Sequence, residues 1–161
     1  MRTSEPWLAT VLPVLNEEAH IEACLQSLLC QSLPANEHII MVLDGGSTDA
    51  TKDIVHTIQS GLNLNQYPVL HLLDNPGRFV PHARNLALQQ LPDSITHVLE
   101  FNGHIEVEPT HLVDLKRIWD RLESDHPQLA GLGCRVLGSE MRQGRMEQII
   151  DSTLRSPLGG S

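Results

Sequence analysis

Apolar residues along this chain alternate between two kinds of grouping. Short, predominantly apolar runs fall at residues 7–15 (WLATVLPVL), 38–43 (HIIMVL), 69–73 (VLHLL) and 95–101 (ITHVLEF), with a further candidate at 129–137. Runs of this length predict strands, and the five consecutive apolar residues 39–43, three of them β-branched, predict one buried on both faces, as in parallel sheets. Between them the apolar positions move to helical spacing. Ile21, Cys24, Leu25, Leu28 and Leu29 form one stripe, Ala50, Ile54, Val55 and Ile58 a second, Ala83, Leu86 and Ala87 a third, and Leu112, Leu115, Trp119 and Leu122 a fourth. Residues 146–154 read as a last short helix. The alternation predicts an α/β fold, a three-layer α/β/α sandwich around a mostly parallel sheet. Pro13 cannot donate to a ladder, so the first strand should be open on that side or end there.

The polar residues cluster where the runs stop. Successive strands are followed by Asn16-Glu17, Asp44-Gly45-Gly46-Ser47, Asp74-Asn75-Pro76-Gly77-Arg78 and Asn102-Gly103-His104. In a parallel sheet these endings share the carboxyl rim, where open α/β sheets bind ligands. Asn16 is a suitable N-cap for the first helix, with Glu17 and Glu18 in its first turn, and Ser47 or Thr48 for the second. Asp44 either touches a ligand or caps the helix that follows it. Glu17 has the same choice with its own helix, and Arg78 and Arg84 are either ligand partners or surface charges.

Composition narrows the chemistry. The 161 residues suffice for one domain, and 11 Lys and Arg against 20 Asp and Glu give a net charge of -9, which excludes a surface built for nucleic acid. No apolar run approaches the ~20 residues of a membrane span, and residues 1–5 start no signal peptide, so a cytoplasmic chain is expected. Cys24, Cys30 and Cys134 lack metal-ligand spacing and read as buried thiols. Gly131-Leu132-Gly133 is no complete dinucleotide fingerprint, and neither a nucleophile elbow nor a phosphate-loop lysine follows Gly45-Gly46-Ser47.

The ordered set 11–32 (VLPVLNEEAHIEACLQSLLCQS), 38–55 (HIIMVLDGGSTDATKDIV), 72–88 (LLDNPGRFVPHARNLAL) and 98–109 (VLEFNGHIEVEP) resembles the family 2 glycosyltransferases of GT-A fold. It is most similar to the branch that includes succinoglycan-biosynthesis enzymes. The resemblance implies a single nucleotide-sugar-binding domain over residues 1–161, Rossmann-like and incomplete in its acceptor half. It implies transfer of a sugar from a nucleotide-diphosphate donor to an acceptor hydroxyl with inversion, in cell-surface or extracellular polysaccharide synthesis near the inner face of the membrane. Pro13, Leu15, Glu17, Asp44, Arg78 and Arg84 would then bind the nucleotide sugar, and Asn102 and His104 would stand at the two ends of the motif that brings Mg²⁺ or Mn²⁺ to the diphosphate. A saccharide or lipid-linked acceptor is implied, and a homodimer would cover apolar surface left by a missing edge.

Two features depart from the family pattern. Asn102 stands where relatives carry a carboxylate, which weakens the cation site. The chain ends at Ser161, before the region expected to supply the catalytic base; Glu106 and Glu108 lie too close to the fourth strand, and Glu140 is the remaining candidate. The alternative is a non-catalytic, degenerate transferase module. An unrelated doubly wound domain of flavodoxin-like type is a third reading.

Overall fold

A computed structural model of the chain describes residues 5–134. The run 38–43 extends to Asp44 and forms β2 (His38–Asp44), in which all seven residues are buried. Such burial requires a neighbour on each edge and cover on each face. β1 (Leu8–Val14) and β3 (Val69–Asp74) pair with it in parallel, and β4 (His97–Glu100) pairs in parallel with the far side of β1. The order is β3-β2-β1-β4.

Register shows how Pro13 is accommodated. β2 pairs along β1 as far as Val14, whereas β4 pairs only as far as Val11 opposite Glu100. The Phe101 amide donates to Val11 O, and Gly45 N–H donates to Val14 O on the opposite edge. Pro13 alternates with Val14 and faces the β4 side, where β4 has already left the ladder. Its missing donor falls where the β1/β4 pairing has ended.

Alternate positions of the strands supply two faces. On one, Leu12, Val14, Ile40, Val42 and Leu70 pack against Ile21, Cys24, Leu25 and Leu28 of α1 (Ile21–Leu29) and Val55 of α2 (Thr51–Gly61). On the other, Val11, Met41 and Leu43 pack against Ala83 and Ala87 of α3 (Val80–Gln90). The expected three layers are therefore present. Leu112, in the first turn of α4 (His111–Asp125), joins Leu8 and Leu33 in a smaller cluster.

The chain divides between Ile118 and Trp119 into two compact units. Sheet, α1 to α3 and the candidate donor-site residues from Pro13 to His104 belong to the first. In the described part of the second, the end of α4 is followed by a turn in which Leu129 N–H donates to His126 O. Among the described residues no helix is long and apolar enough to cross a membrane.

Several local expectations are corrected. Asn16 does not cap α1, whose N-cap is His20. Asn16 instead takes a left-handed conformation (φ 56°), which Asn tolerates better than most residues, and Glu17 and Glu18 precede the helix. Ser47 and Thr48 do not cap α2, whose N-cap is Ala50. Only Cys24 is a buried thiol, and Cys30 and Cys134 are exposed. Cys30 follows α1 off its apolar stripe, and Cys134 lies in irregular chain with no helix or strand to bury it. Leu129–Cys134 form no strand; the rest of that candidate, the helix expected at 146–154 and Glu140 lie outside the described residues.

Candidate functional site

The strand order places the topological switch between β1 and β4, whose neighbours run off in opposite directions. Crevices open at such points, above the carboxyl ends of the strands. Four turns meet there through close backbone approaches. A side chain on Gly45 would put its Cβ 2.8 Å from Arg78 O and 3.3 Å from Val14 O, so only glycine lets the turn after β3 lie on the turn after β2. A Cβ on Gly103 would lie 3.0 Å from Val14 Cγ1 and 3.1 Å from Glu17 Cγ. The ends of β1, β2, β3 and β4 therefore form one continuous rim.

The first two turns are knitted together by side chains that serve each other's backbone. Asn16 N–H donates to Ser47 Oγ (2.9 Å), Glu17 N–H to Thr51 Oγ1 (2.8 Å) and Glu18 N–H to Asp49 Oδ2 (3.1 Å). In return Thr48 N–H donates to Asn16 Oδ1 (2.8 Å) and Ala50 N–H to Glu18 Oε2 (2.9 Å). Thr51 closes the set by donating its hydroxyl to Asp49 Oδ1 at 2.6 Å. Desolvation pulls the Asp49 carboxyl upward, but the bonds it accepts from Thr51 and the Glu18 backbone outweigh this and hold it below the usual carboxylate range. None of Ser47, Asp49 and Thr51 was singled out for this in the sequence. The available signal was a turn of hydroxyl and Asx residues, whose side chains habitually bond backbone.

Asp44 is 1% exposed. Its carboxylate accepts Gly46 N–H (3.0 Å) and Ser47 N–H (3.1 and 3.2 Å), while its carbonyl accepts Asn75 N–H (2.7 Å). Asp74, at the end of β3, is held by Lys52 Nζ at 2.6 Å. Among the sequence-predicted residues, Glu17 and His104 are brought together across the switch point, with His104 Nδ1 3.1 Å from Glu17 Oε1. Pro13 is half-buried, and Leu15, Asn102 and Arg78 are exposed on the same rim. Arg78 adopts φ 64° and presents its carbonyl to Gly45. Arg84 is engaged elsewhere: Nε and Nη2 donate to the two carboxylate oxygens of Glu100 at 2.8 and 2.9 Å. Beneath the fourth turn the Cys24 thiol donates to Asn102 O (3.6 Å), and burial pushes its pKa up to about 12.

The donors for a divalent cation are few. Among the described residues no three His, Cys, Asp or Glu side chains are grouped to hold a metal ion. Asn102 offers a neutral amide, and His104 already points one ring nitrogen at Glu17. Mg²⁺ favours six oxygen ligands with carboxylates among them. The residues present do not make that set.

The comparisons with known proteins agree with this architecture. The chain is 26% identical over 155 residues to a dolichyl N-acetyl-α-D-glucosaminyl phosphate 3-β-D-2,3-diacetamido-2,3-dideoxy-β-D-glucuronosyltransferase from Methanococcus voltae, covering 96% of this chain and 46% of that protein. It is 33% identical over 94 residues to the succinoglycan biosynthesis protein ExoA of Rhizobium meliloti, covering 58% of this chain and 27% of that protein. The chain thus spans less than half the length of these relatives. Among solved structures it resembles the Staphylococcus aureus protein TarS, with a TM-score of 0.59 at 23% identity over 83% of this chain and 24% of that one. A shorter TarS form in complex with UDP-GlcNAc superposes with a TM-score of 0.58, at 23% identity over 83% of this chain and 38% of that one. The model of "Glycosyl transferase family 2" matches residues 10–156. With nearly the whole chain matched and the four-turn rim of a GT-A sheet in place, this chain belongs to glycosyl transferase family 2.

Proposed function

We propose that this chain is the donor-binding part of a glycosyltransferase and holds a nucleotide-diphosphate sugar at the β1/β4 switch point. The sugar would pass to a saccharide or lipid-linked acceptor in cell-surface polysaccharide synthesis, with inversion. The observation that carries this reading is the convergence of all four strand endings on one rim at the place where α/β sheets take nucleotides. Relatives named for sugar transfer, and TarS structures that contain UDP and UDP-GlcNAc, support it.

The rim suggests a division of work. Pro13 and Leu15 offer apolar surface to a nucleoside. Asp44, buried under its own turn, holds Gly46 and Ser47 so that they and the remaining carboxylate lone pairs face a base or ribose. Arg78, with no partner recorded for its side chain among the described residues, is placed for a diphosphate. Glu17 and His104 flank the entrance. The Asn102 and His104 donors would give a divalent cation at most a weak hold.

Titration of the chain with UDP- and GDP-sugars by calorimetry, with and without Mn²⁺, tests the reading. Binding of one nucleotide class at or below millimolar concentration is expected, and silence toward all of them would overturn it. Asn102→Asp restores an anionic donor and should tighten Mn²⁺-dependent UDP binding by about tenfold. An unchanged Mn²⁺ response would remove Asn102 from the cation site.

A further inference from the structure

β4 is the least secured strand of the sheet. Among the described residues it has four residues, lies at an edge, and pairs only with β1. Leu99 packs toward the α1 side. On the other face Val98 and Glu100 stand beside Ala9 and Val11, yet the α3 cluster that covers Val11 does not include Val98, which stays 45% exposed. Among the described residues this strand therefore lacks apolar cover on the side where α3 runs. The Arg84 fork spans that gap: from the middle of α3 it holds both oxygens of Glu100, the last residue of β4 and two residues before Asn102.

We propose that Arg84 and Glu100 form a strap that fixes the carboxyl end of β4, making both of them positioning residues for the Asn102-Gly103-His104 turn rather than ligands of the diphosphate. A bidentate guanidinium–carboxylate pair constrains direction as well as distance, which a single charge contact does not. Gly103 packs against Val14 and Glu17 with no room to spare, so a small shift at the end of β4 would move His104 off Glu17. Arg84 cannot offer the same two donors to a phosphate while the fork is closed.

This inference rests on the donor-site reading, and two measurements keep them separable. In the first, UDP affinity is measured for the native chain, Glu100→Gln, Arg84→Gln, the double variant and the swap Arg84→Glu with Glu100→Arg. Both side chains are about half exposed, so the core is untouched. The strap predicts that each single change weakens UDP about two- to fivefold, that the double change is no worse than either, and that the swap recovers most of the loss. If Arg84 instead binds phosphate, Glu100→Gln leaves affinity unchanged or improves it while the swap abolishes binding, and the proposal falls.

In the second, amide exchange is followed at Phe101 and Ile105, which donate to Val11 O and Asn102 O. The strap predicts faster exchange in both single variants and recovery in the swap. Unaltered exchange overturns the strap whatever UDP does, and faster exchange with UDP affinity unchanged overturns the positioning role. Should the native chain not bind UDP, the donor reading fails and exchange alone decides whether the fork holds the turn.

Discussion

His38 shows how a single buried side chain sets a pH limit on the fold. It is 2% exposed at the start of the inner strand β2, with Nε2 2.8 Å from Thr10 Oγ1. Burial pulls its pKa down from the ordinary 6.5 to about 4. Between those values the unfolded chain binds a proton that the folded one refuses, so this contribution to stability is complete above pH 6.5 and lost as pH falls toward 4. The loss amounts to about 3 kcal/mol. His38→Gln should remove that part of the acid sensitivity, seen as a smaller difference between urea unfolding at neutral and at acidic pH; an unaltered difference would assign the acid limb to other groups. The sequence showed His38 only as the first residue of an apolar run. Its pairing with Thr10 depends on the β1/β2 register, which no local pattern encodes.

At the scale of elements, the knitted turns after β1 and β2 carry the clearest energetic consequence. Thr51 is fully buried, accepts the Glu17 amide and donates to Asp49. Thr51→Val keeps the shape and removes both bonds, leaving a half-buried amide and a carboxylate oxygen short of partners. A loss of about 1–3 kcal/mol is expected, measurable as a lower thermal midpoint; an unchanged midpoint would show that water replaces the hydroxyl without cost. Strands and helices were readable because their periodicity is local: 7–15 became Leu8–Val14, and the stripe from Ile21 became α1. The turns were misread for the opposite reason. Asn16, Ser47 and Thr48 look like caps for the helices beside them, yet their partners lie 31 and 32 residues away. Arg84 was likewise readable as a cation near the rim but not as the partner of Glu100, because that pairing depends on where α3 crosses the sheet.

For the molecule as a whole, charge opposes the ligand that the rim is proposed to hold. The chain carries -9 overall, and a nucleotide diphosphate is itself an anion, so long-range repulsion would slow encounter, while Arg78 is proposed to act at contact. Raising NaCl from about 20 to 200 mM shortens the range of that repulsion. The association rate for UDP should then rise by about twofold, read by stopped-flow fluorescence of a labelled nucleotide. A fall would mean that the local field of the rim outweighs the net charge. The convergence of four turns was legible from composition at each strand end; what sequence could not show was how little cationic charge remains free there once Lys52 and Arg84 have taken Asp74 and Glu100.

The reciprocal stitching of residues 16–18 to residues 47–51 also governs how this rim can vary in length. Each turn is the template for its neighbour, so an extra residue in either one would shift every donor past its acceptor and unpick both seams at once. The turn after β4 touches its surroundings through Gly103, His104 and the Asn102 carbonyl rather than through such a seam. Changes of length are therefore less costly after β4, where no reciprocal seam has to stay in register, than in the hem formed by the first two turns.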